Sequence, residues 1–380
     1  MIRSPVKIEN PKEREQWRPC HATDLKSLMY PNILLSLILG YFPIKYKSGE
    51  WVFSKKLFAY STTVFLIVMS LMIYISYLTN TSGQMYLSMK QTIYFNFLLV
   101  LDGCTILTMY VGSYYRFLVL RKVSKASYIL SEQDFDDMAK FVHIKDIVFP
   151  AVILLHLVMS HWGVAYNHPE YLTQLFVMTI TQTIEMSYVN CVHVLGACYK
   201  RINENLKHLN RPPKQSELKS QLRGQGTLKL MEVKYYEQLH HEISDVVEYL
   251  NKTYTSMIVV MTASAFITIT LKMYFSLEWF VSQDFSKYER GMGIQHVKDF
   301  VYAVHQMLKF ILVIWTCQTA TNRAREIGTT IHDVLTDCTD SAVRRELGYF
   351  ALQVAHRDVA FTTSAYTINA KFLSEMILSH

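Results

Sequence analysis

The sequence predicts an all-α fold, a polytopic membrane helix bundle with about six spans and long helical cytoplasmic extensions. Hydrophobic residues make up 51% of the 380 residues and charged residues only 18%, whereas soluble domains carry about 25% charged residues. Glycine (13 residues) and proline (9 residues) are both sparse. Long helices, many of them in lipid, are therefore favoured over turn-rich structure.

Six apolar runs are long enough to cross a bilayer as helices, which takes about 20 residues. These runs are 57–80, 91–115, 146–166, 172–199, 255–280 and 299–320. A shorter apolar stretch, 29–44, precedes them and is interrupted by Pro31, Gly40 and Pro43. We expect an interfacial or re-entrant helix there rather than a span.

The basic residues predict how the spans are oriented. From the N-terminus to the C-terminus, the seven segments outside the runs hold 10, 1, 6, 0, 10, 3 and 6 lysines and arginines. Because cytoplasmic loops carry the excess of these residues, the alternation predicts a multi-pass protein whose N-terminus lies in the cytoplasm. The segment after the sixth run is then cytoplasmic as well.

The same pattern divides the chain into five regions. Apolar residues at helical spacing continue through much of 200–254 and 321–338, so we expect the membrane helices to extend into the cytoplasm, with a linker near Arg211-Pro212-Pro213. The predicted regions are a cytoplasmic N-terminal segment with the interfacial helix (1–56), spans one to four (57–199), a cytoplasmic helical extension (200–254), spans five and six (255–320) and a cytoplasmic helical anchor region (321–380).

Several classes of protein are disfavoured. The chain has no Walker A, G-x-S-x-G or H-E-x-x-H sequence, so we expect no enzyme. Its six cysteines form no C-x-x-C, and we expect no metal or other cofactor. A cytoplasmic N-terminus disfavours a G-protein-coupled receptor. Secondary transporters usually have glycine- or proline-broken spans in paired positions, and this sequence has none.

Polar residues inside the apolar runs indicate the candidate site. Asp102, Glu185, Lys272 and Lys309 are costly in lipid, so we expect them to face protein or a water-filled cavity. In the predicted topology, further polar and aromatic residues occupy the outer halves of the last four spans. The candidate ligand-binding residues are Asp102, His161, Trp162, Tyr166, Thr181, Gln182, Glu185, Tyr274, Tyr302, His305, Gln306 and Lys309.

Two interpretations of these residues remain open. Their helical spacing places several of them on shared faces, which would line a small-molecule pocket open to the outside. Alternatively, they hold the helices together as polar contacts or internal ion pairs, such as Glu185 with Lys309. Separately, Asn80-Thr81-Ser82 is a glycosylation sequon in a predicted outer loop very near the membrane.

Two stretches resemble a known family. Tyr30-Pro31 followed by Leu39–Pro43 is similar to the N-terminal "P…LGlfP" segment of insect gustatory receptors. Glu346–Val354, followed by Phe361-Thr362-Thr363 and Tyr366–Asn369, is similar to the block before the last span of that family. The cytoplasmic N-terminus, short outer loops and long helical inner loops also resemble the insect chemoreceptor superfamily.

The resemblance implies a gustatory receptor subunit: a tastant-gated cation channel of the plasma membrane, assembled as a homo- or hetero-tetramer. The tastant would be a small molecule such as a sugar or a bitter compound, and no nucleic acid is implied. In the family a seventh span with the motif T-Y-x-x-x-x-x-Q-F lines the pore. The sequence ends at His380, directly after Phe372–Leu378, so we expect six of seven spans.

Two alternatives stay open at this point. One is an odorant receptor of the same superfamily, which shares the fold and the orientation. The other is a truncated, non-conducting regulatory membrane protein.

Overall fold

The computed structural model describes residues 17–81, 89–163, 168–209, 222–282, 290–357, 359–363 and 367–368. Almost all of this part is helical, and the predicted all-α membrane bundle is confirmed. In chain order the helices are α1 (Leu25–Leu28), α2 (Tyr30–Ile38), α3 (Lys55–Thr81), α4 (Met89–Val111), α5 (Ser113–Ala126), α6 (Glu132–Gly163), α7 (His168–Leu209), α8 (Leu222–Ser282), α9 (Arg290–Asp337) and α10 (Ser341–His356). A 3-10 turn, Ser127–Ile129, follows α5.

Three described helices are long and apolar enough to cross a membrane on their own: Lys55–Thr81, Thr227–Tyr274 and Val297–Asp337. A fourth candidate is the pair Phe95–Val111 and Ser113–Ile129, which is bent by 58°. The runs 146–166 and 172–199 lie largely in the long helices α6 and α7. The total of six spans stays a prediction.

Helix α4 stops before the end of the apolar run that predicts the second span. The apolar run extends to residue 115, but α4 stops at Val111 and the chain turns at Gly112. The buried Arg116 side chain folds back onto this turn and donates a hydrogen bond to the Met109 carbonyl oxygen. A Cβ atom at Gly112 would lie 2.9 Å from the Arg116 guanidinium, so glycine leaves the room that the turn needs.

The short apolar stretch 29–44 forms α2, which has nine residues and is too short to span a bilayer. The side-chain amide of the buried Asn32 donates a 2.8 Å hydrogen bond to the Thr183 carbonyl oxygen and ties α2 to α7. Helix α2 ends at Ile38, and two residues later Gly40 has a φ of +72°, a conformation that glycine adopts without strain.

A β-hairpin after α2 was not predicted from the sequence. Strands β1 (Ile44–Lys47) and β2 (Glu50–Phe53) pair antiparallel, with Ile44 opposite Phe53. Ser48 and Gly49 join them with φ values of 53° and 86°. Positive φ at both positions is the type I′ geometry, whose twist matches that of the strands.

Helix α7 lies at the centre of the bundle and packs along α9. At their closest approach, a Cβ atom on Gly196 would lie 3.1 Å from the Ala320 Cβ, so the two backbones nearly touch. Small residues allow this approach in membrane helices.

Helices α7, α8 and α9 continue beyond the predicted spans, and α10 packs against the N-terminal half of α8. The Gln353 amide donates to the Glu237 carbonyl oxygen at 3.0 Å, and Arg357 pairs with Asp245 at 2.5 Å. The segment after α10 is also attached to α8, because the Asn251 amide donates to the Ala360 carbonyl oxygen at 2.8 Å. The predicted linker near Arg211-Pro212-Pro213 and the stretch Phe372–Leu378 lie outside the described residues.

Candidate functional site

A buried ion pair joins α7 and α9 in the middle of the bundle. The Lys309 ammonium lies 2.7 Å from a Glu185 carboxylate oxygen, and their side chains are only 7% and 9% exposed. This is the pair named above as an alternative to a pocket. It brings together two predicted site residues that are 124 positions apart in the sequence (309 − 185).

One helical turn from the ion pair, Gln182 and His305 meet across the same interface. The His305 Nε2 atom and the Gln182 Oε1 atom are 3.0 Å apart, so the imidazole donates from Nε2. Both residues are buried, and the Gln182 amide nitrogen has no hydrogen-bond partner among the described atoms. The imidazole ring also packs against the ring of Phe149 of α6, with ring centres 5.3 Å apart.

Tyr302 continues this polar row along α9, towards the predicted outer end. The Gln306 side-chain amide donates to its hydroxyl group. The Lys272 ammonium of α8 lies 4.8 Å from the centre of the Tyr302 ring and forms an ion pair with Asp299. Four of the predicted residues (Gln182, Tyr302, His305 and Gln306) therefore belong to one continuous row with the ion pair.

A cleft opens beside the ion pair, between α7, α8 and α9. The space between the atoms in this region, including the part open to solvent, amounts to about 530 Å³. Its lining combines an apolar wall with a few polar groups: Glu185, Tyr188, Met257, Ile258, Met261, Thr262, Ala265, Gln306, Lys309, Phe310, Val313 and Ile368. Small-molecule sites usually have this composition, in which apolar surface supplies contact area and a few polar groups fix the ligand's orientation.

Several predicted residues lie away from this cleft. Asp102 lines a smaller cleft of about 320 Å³ between α3, α4 and α7, next to Thr173 and Gln174. The Thr181 hydroxyl donates to the Val177 carbonyl oxygen of its own helix at 2.9 Å. Tyr274 is exposed on α8.

Three further predicted residues cannot be located relative to the cleft. The side chains of His161 and Trp162, and the whole of Tyr166, lie outside the described part of the chain.

Comparison with known proteins now identifies the family. Residues 29–377 match the family model described as 7tm Chemosensory receptor. The chain belongs to this chemosensory receptor family. A curated relative, putative gustatory receptor 28b of Drosophila melanogaster, is 24% identical over 131 residues, which are 33% of this receptor and 27% of that protein.

Solved structures show that the receptor shares its fold with an insect olfactory receptor. OR5 from Machilis hrabei matches with a TM-score of 0.66 and 11% identity, over 93% of this chain and 96% of that chain. The structure of OR5 in complex with eugenol matches with a TM-score of 0.63 and 12% identity, over 93% and 95%. The predicted membership of the insect chemoreceptor superfamily is confirmed. Since the family consists of receptors, the prediction that the chain is not an enzyme is confirmed as well.

Sequence reasoning missed most of the apolar side of the receptor's cleft. Met257, Ile258, Met261, Phe310 and Val313 line it, but apolar residues are expected throughout spanning helices. Their sequence therefore carries no signal that separates cleft walls from lipid contacts.

A second buried polar group in the receptor was also missed. Lys145 and Asp146 are adjacent on α6 and form an ion pair with side chains 5% and 1% exposed. Asp146 also accepts a 2.8 Å hydrogen bond from the Asn190 amide of α7. Adjacent charges at the start of the run 146–166 were the available signal.

The sequon residue Asn80 is exposed on α3 near its end. Its side-chain nitrogen, the atom that glycosylation would modify, donates to the Ser76 carbonyl oxygen at 2.8 Å and to the Asn96 side-chain oxygen at 2.9 Å. At least one of these hydrogen bonds would have to break before a sugar could be attached, because the glycosylated amide keeps a single N–H.

Proposed function

We propose that this receptor is a gustatory receptor subunit, a tastant-gated cation channel, and that the tastant binds in the cleft between α7, α8 and α9. Family membership and the local similarity to putative gustatory receptor 28b support the sensory part of the proposal. The channel part rests on the resemblance to insect gustatory receptors. The proposed orientation of the receptor in the plasma membrane, with the N-terminus on the cytoplasmic side, rests on the distribution of basic residues.

The observation that carries the binding site is the cleft with its buried ion pair. Glu185, Lys309 and Gln306 offer acceptor and donor groups in a cavity whose other lining residues are mostly apolar. A ligand with hydroxyl or amide groups and a compact apolar body satisfies both parts of this lining. The cleft lies at the depth of the ion pair, near the middle of α7 and α9, and the polar row with Gln182 and Tyr302 extends from it.

Gating follows from how a ligand would affect the helices around the cleft. Helices α8 and α9 both line the cleft and both continue to the region that packs on α10. A ligand shifts a closed–open equilibrium only by its difference in affinity for the two states. A change in the spacing of α8 and α9 on binding would reach the cytoplasmic bundle, where residues 200–254 and 321–372 would hold a homo- or hetero-tetramer together.

An odorant receptor of the same superfamily is the second candidate, favoured by the match to OR5. The fold is compatible with either sensory class, because the identity of 11% is too low to transfer a ligand. The two candidates differ in the ligand that opens the channel.

Recording from cells that express the full chain tests the proposal. We expect sugars or bitter compounds, rather than volatile odorants, to evoke cation currents absent from untransfected cells. Gln306→Ala removes one polar group from the cleft, and the loss of a hydrogen bond worth about 1 kcal/mol raises the half-maximal concentration about fivefold.

The matched control is Gln318→Ala, on the same helix but outside the set of cleft-lining residues; its side-chain amide donates to the Asn322 side-chain oxygen, one turn further along the helix, at 2.8 Å. Its response should equal that of the wild type. An evoked current only with volatile compounds supports the odorant receptor. No evoked current with any compound contradicts both candidates.

A further inference from the structure

A strongly basic surface surrounds the start of α3, and the proposed function does not use it. Eight exposed cations contribute to it: Lys26, Lys45, Lys47, Lys55, Lys56, Arg121, Lys122 and Lys125. We call this surface the basal cationic face. The two sequence ranges that form it, 24–60 and 113–130, contain only two acidic residues, Asp24 and Glu50.

Neither carboxylate neutralises the face. Asp24 caps α1, where its side chain accepts hydrogen bonds from the Ser27 backbone and hydroxyl at 2.7 Å. Glu50 lies 3.8 Å from the Arg121 guanidinium, and both side chains are largely exposed, so this contact is weak. Most of the positive charge remains available to a partner.

Aromatic packing holds the hairpin, α3 and α5 together as one surface. The Phe53 ring of β2 lies 5.5 Å from the Phe58 ring of α3 and 5.5 Å from the Tyr114 ring of α5. It also lies 5.7 Å from the ring of the buried Phe117. The cations are therefore presented by packed elements rather than by independent loops.

The bend at Gly112 lets α5 present its basic side outside the bundle. Helix α5 departs by 58° from the direction of α4. Phe117, Leu120 and Val123 are buried on one side, while the opposite side exposes three of the four basic residues of the helix, which were counted above. Because its apolar side packs against protein, α5 turns its basic side outward from the bundle, where a partner can reach these cations.

Exposed tyrosines lie among the cations. They are Tyr46, Tyr60, Tyr114, Tyr115 and Tyr128. Tyrosine is enriched at the level of the lipid headgroups, where its ring contacts the acyl boundary and its hydroxyl group stays in water. Lys55 and Lys56 stand at the first two positions of α3, directly before its apolar run, so the face lies where that helix enters the bilayer.

We propose that the basal cationic face binds the headgroups of anionic phospholipids in the cytoplasmic leaflet. Clusters of four to eight lysines and arginines directly cytoplasmic of a spanning helix recognise such lipids. The charge excess fits phosphate and carboxylate groups, and the tyrosines fit the boundary between headgroup and acyl chain. An acidic protein segment would satisfy the charges but would leave the exposed parts of these tyrosine rings in water.

Native mass spectrometry of the purified full chain tests the proposal with phosphatidylserine and phosphatidylcholine of equal chain length. Each cation near an anionic membrane strengthens binding about fivefold, so neutralising two of them lowers the binding of phosphatidylserine about 25-fold. We expect this loss for Lys45→Gln/Lys47→Gln and for Lys55→Gln/Lys56→Gln, with phosphatidylcholine unaffected. Inorganic phosphate in large excess should not displace the lipid.

The matched control is Arg344→Gln/Arg345→Gln, which removes two adjacent exposed cations from α10 and should change lipid binding less than twofold. If the α3 variant fails to fold, the hairpin variant still tests the proposal, because Lys45 and Lys47 are exposed. The proposal is wrong if the wild type shows no preference for phosphatidylserine, or if the control loses binding as strongly as the hairpin variant. Either result would point to an acidic protein partner or to an unspecific charge effect.

Discussion

Replacing Glu185 or Lys309 by methionine tests the buried ion pair that forms part of the cleft. The side chains are 9% and 7% exposed, and the charged atoms lie 2.7 Å apart. With an effective dielectric constant of about 20, Coulomb's law gives an attraction of about 6 kcal/mol at that distance. The cost of removing both charges from water offsets most of it.

Each single replacement is therefore expected to lower the free energy of unfolding far more than the double replacement does. Glu185→Met leaves the Lys309 ammonium buried without its partner, and breaking a buried pair in this way costs about 3–5 kcal/mol. Lys309→Met leaves the carboxylate in the same position, with a similar cost. The double variant replaces the pair with apolar side chains of similar size. Its free energy of unfolding should therefore differ from that of the wild type by no more than about 1 kcal/mol.

Denaturant unfolding of the detergent-purified protein measures these free energies. A control pair shows whether burial, rather than the short distance, causes the loss. The charged atoms of Lys207 and Glu326 are 2.8 Å apart, nearly the same distance, but their side chains are 54% and 51% exposed. The corresponding methionine variants should each change the free energy of unfolding by less than about 1 kcal/mol. The reasoning would be refuted if the free-energy changes of Glu185→Met and Lys309→Met added up to that of the double variant. It would also be refuted if the single variants of both pairs lost the same free energy of unfolding.

Three further predictions concern packing and pH. Asn32→Ala removes the hydrogen bond from the Asn32 amide to the Thr183 carbonyl oxygen and should lower the free energy of unfolding by about 0.5–1.5 kcal/mol, measured by denaturant unfolding. Gly196→Leu places a side chain where even a Cβ would lie 3.1 Å from Ala320, so overpacking should cost about 1–3 kcal/mol and lower the thermal midpoint. Burial lowers the pKa of His143 below 6.5, so its contribution to stability is complete above about pH 6.5 and is lost as the pH falls below that value. Thermal midpoints between pH 5 and 8 should therefore fall on the acid side in the wild type and fall less in His143→Phe; equal pH dependence in both would contradict this.

The helices were predictable because a bilayer-crossing helix needs a long apolar run, and six such runs stand out. The ion pair was named as an alternative because two opposite charges inside apolar runs, the fourth and the sixth, have few other favourable partners in lipid. The hairpin was missed because its strands have only four residues each, and the Ser48-Gly49 turn is a short local signal. The bend at Gly112 was missed because the apolar run continues through it.

The division of the candidate residues could not be predicted from helical spacing. Glu185, Gln306 and Lys309 line one cleft, while Asp102 lines another. This depends on how α4, α7 and α9 are rotated against each other, which the close approach of Gly196 to Ala320 helps to set. No pattern within a single helix contains that information.

A bulky residue placed in the cleft tests most directly whether ligands bind there. Ala265 lines the cleft, and Ala265→Trp would fill much of the space that a tastant needs. Ala263 lies two positions away on the same helix, outside the set of lining residues, so Ala263→Trp is the matched control for size and expression. With an agonist of the wild-type receptor, we expect Ala265→Trp to abolish the evoked current or to raise the half-maximal concentration more than tenfold, and Ala263→Trp to respond like the wild type. A wild-type response from Ala265→Trp at normal surface expression would contradict the assignment of this cleft as the ligand site.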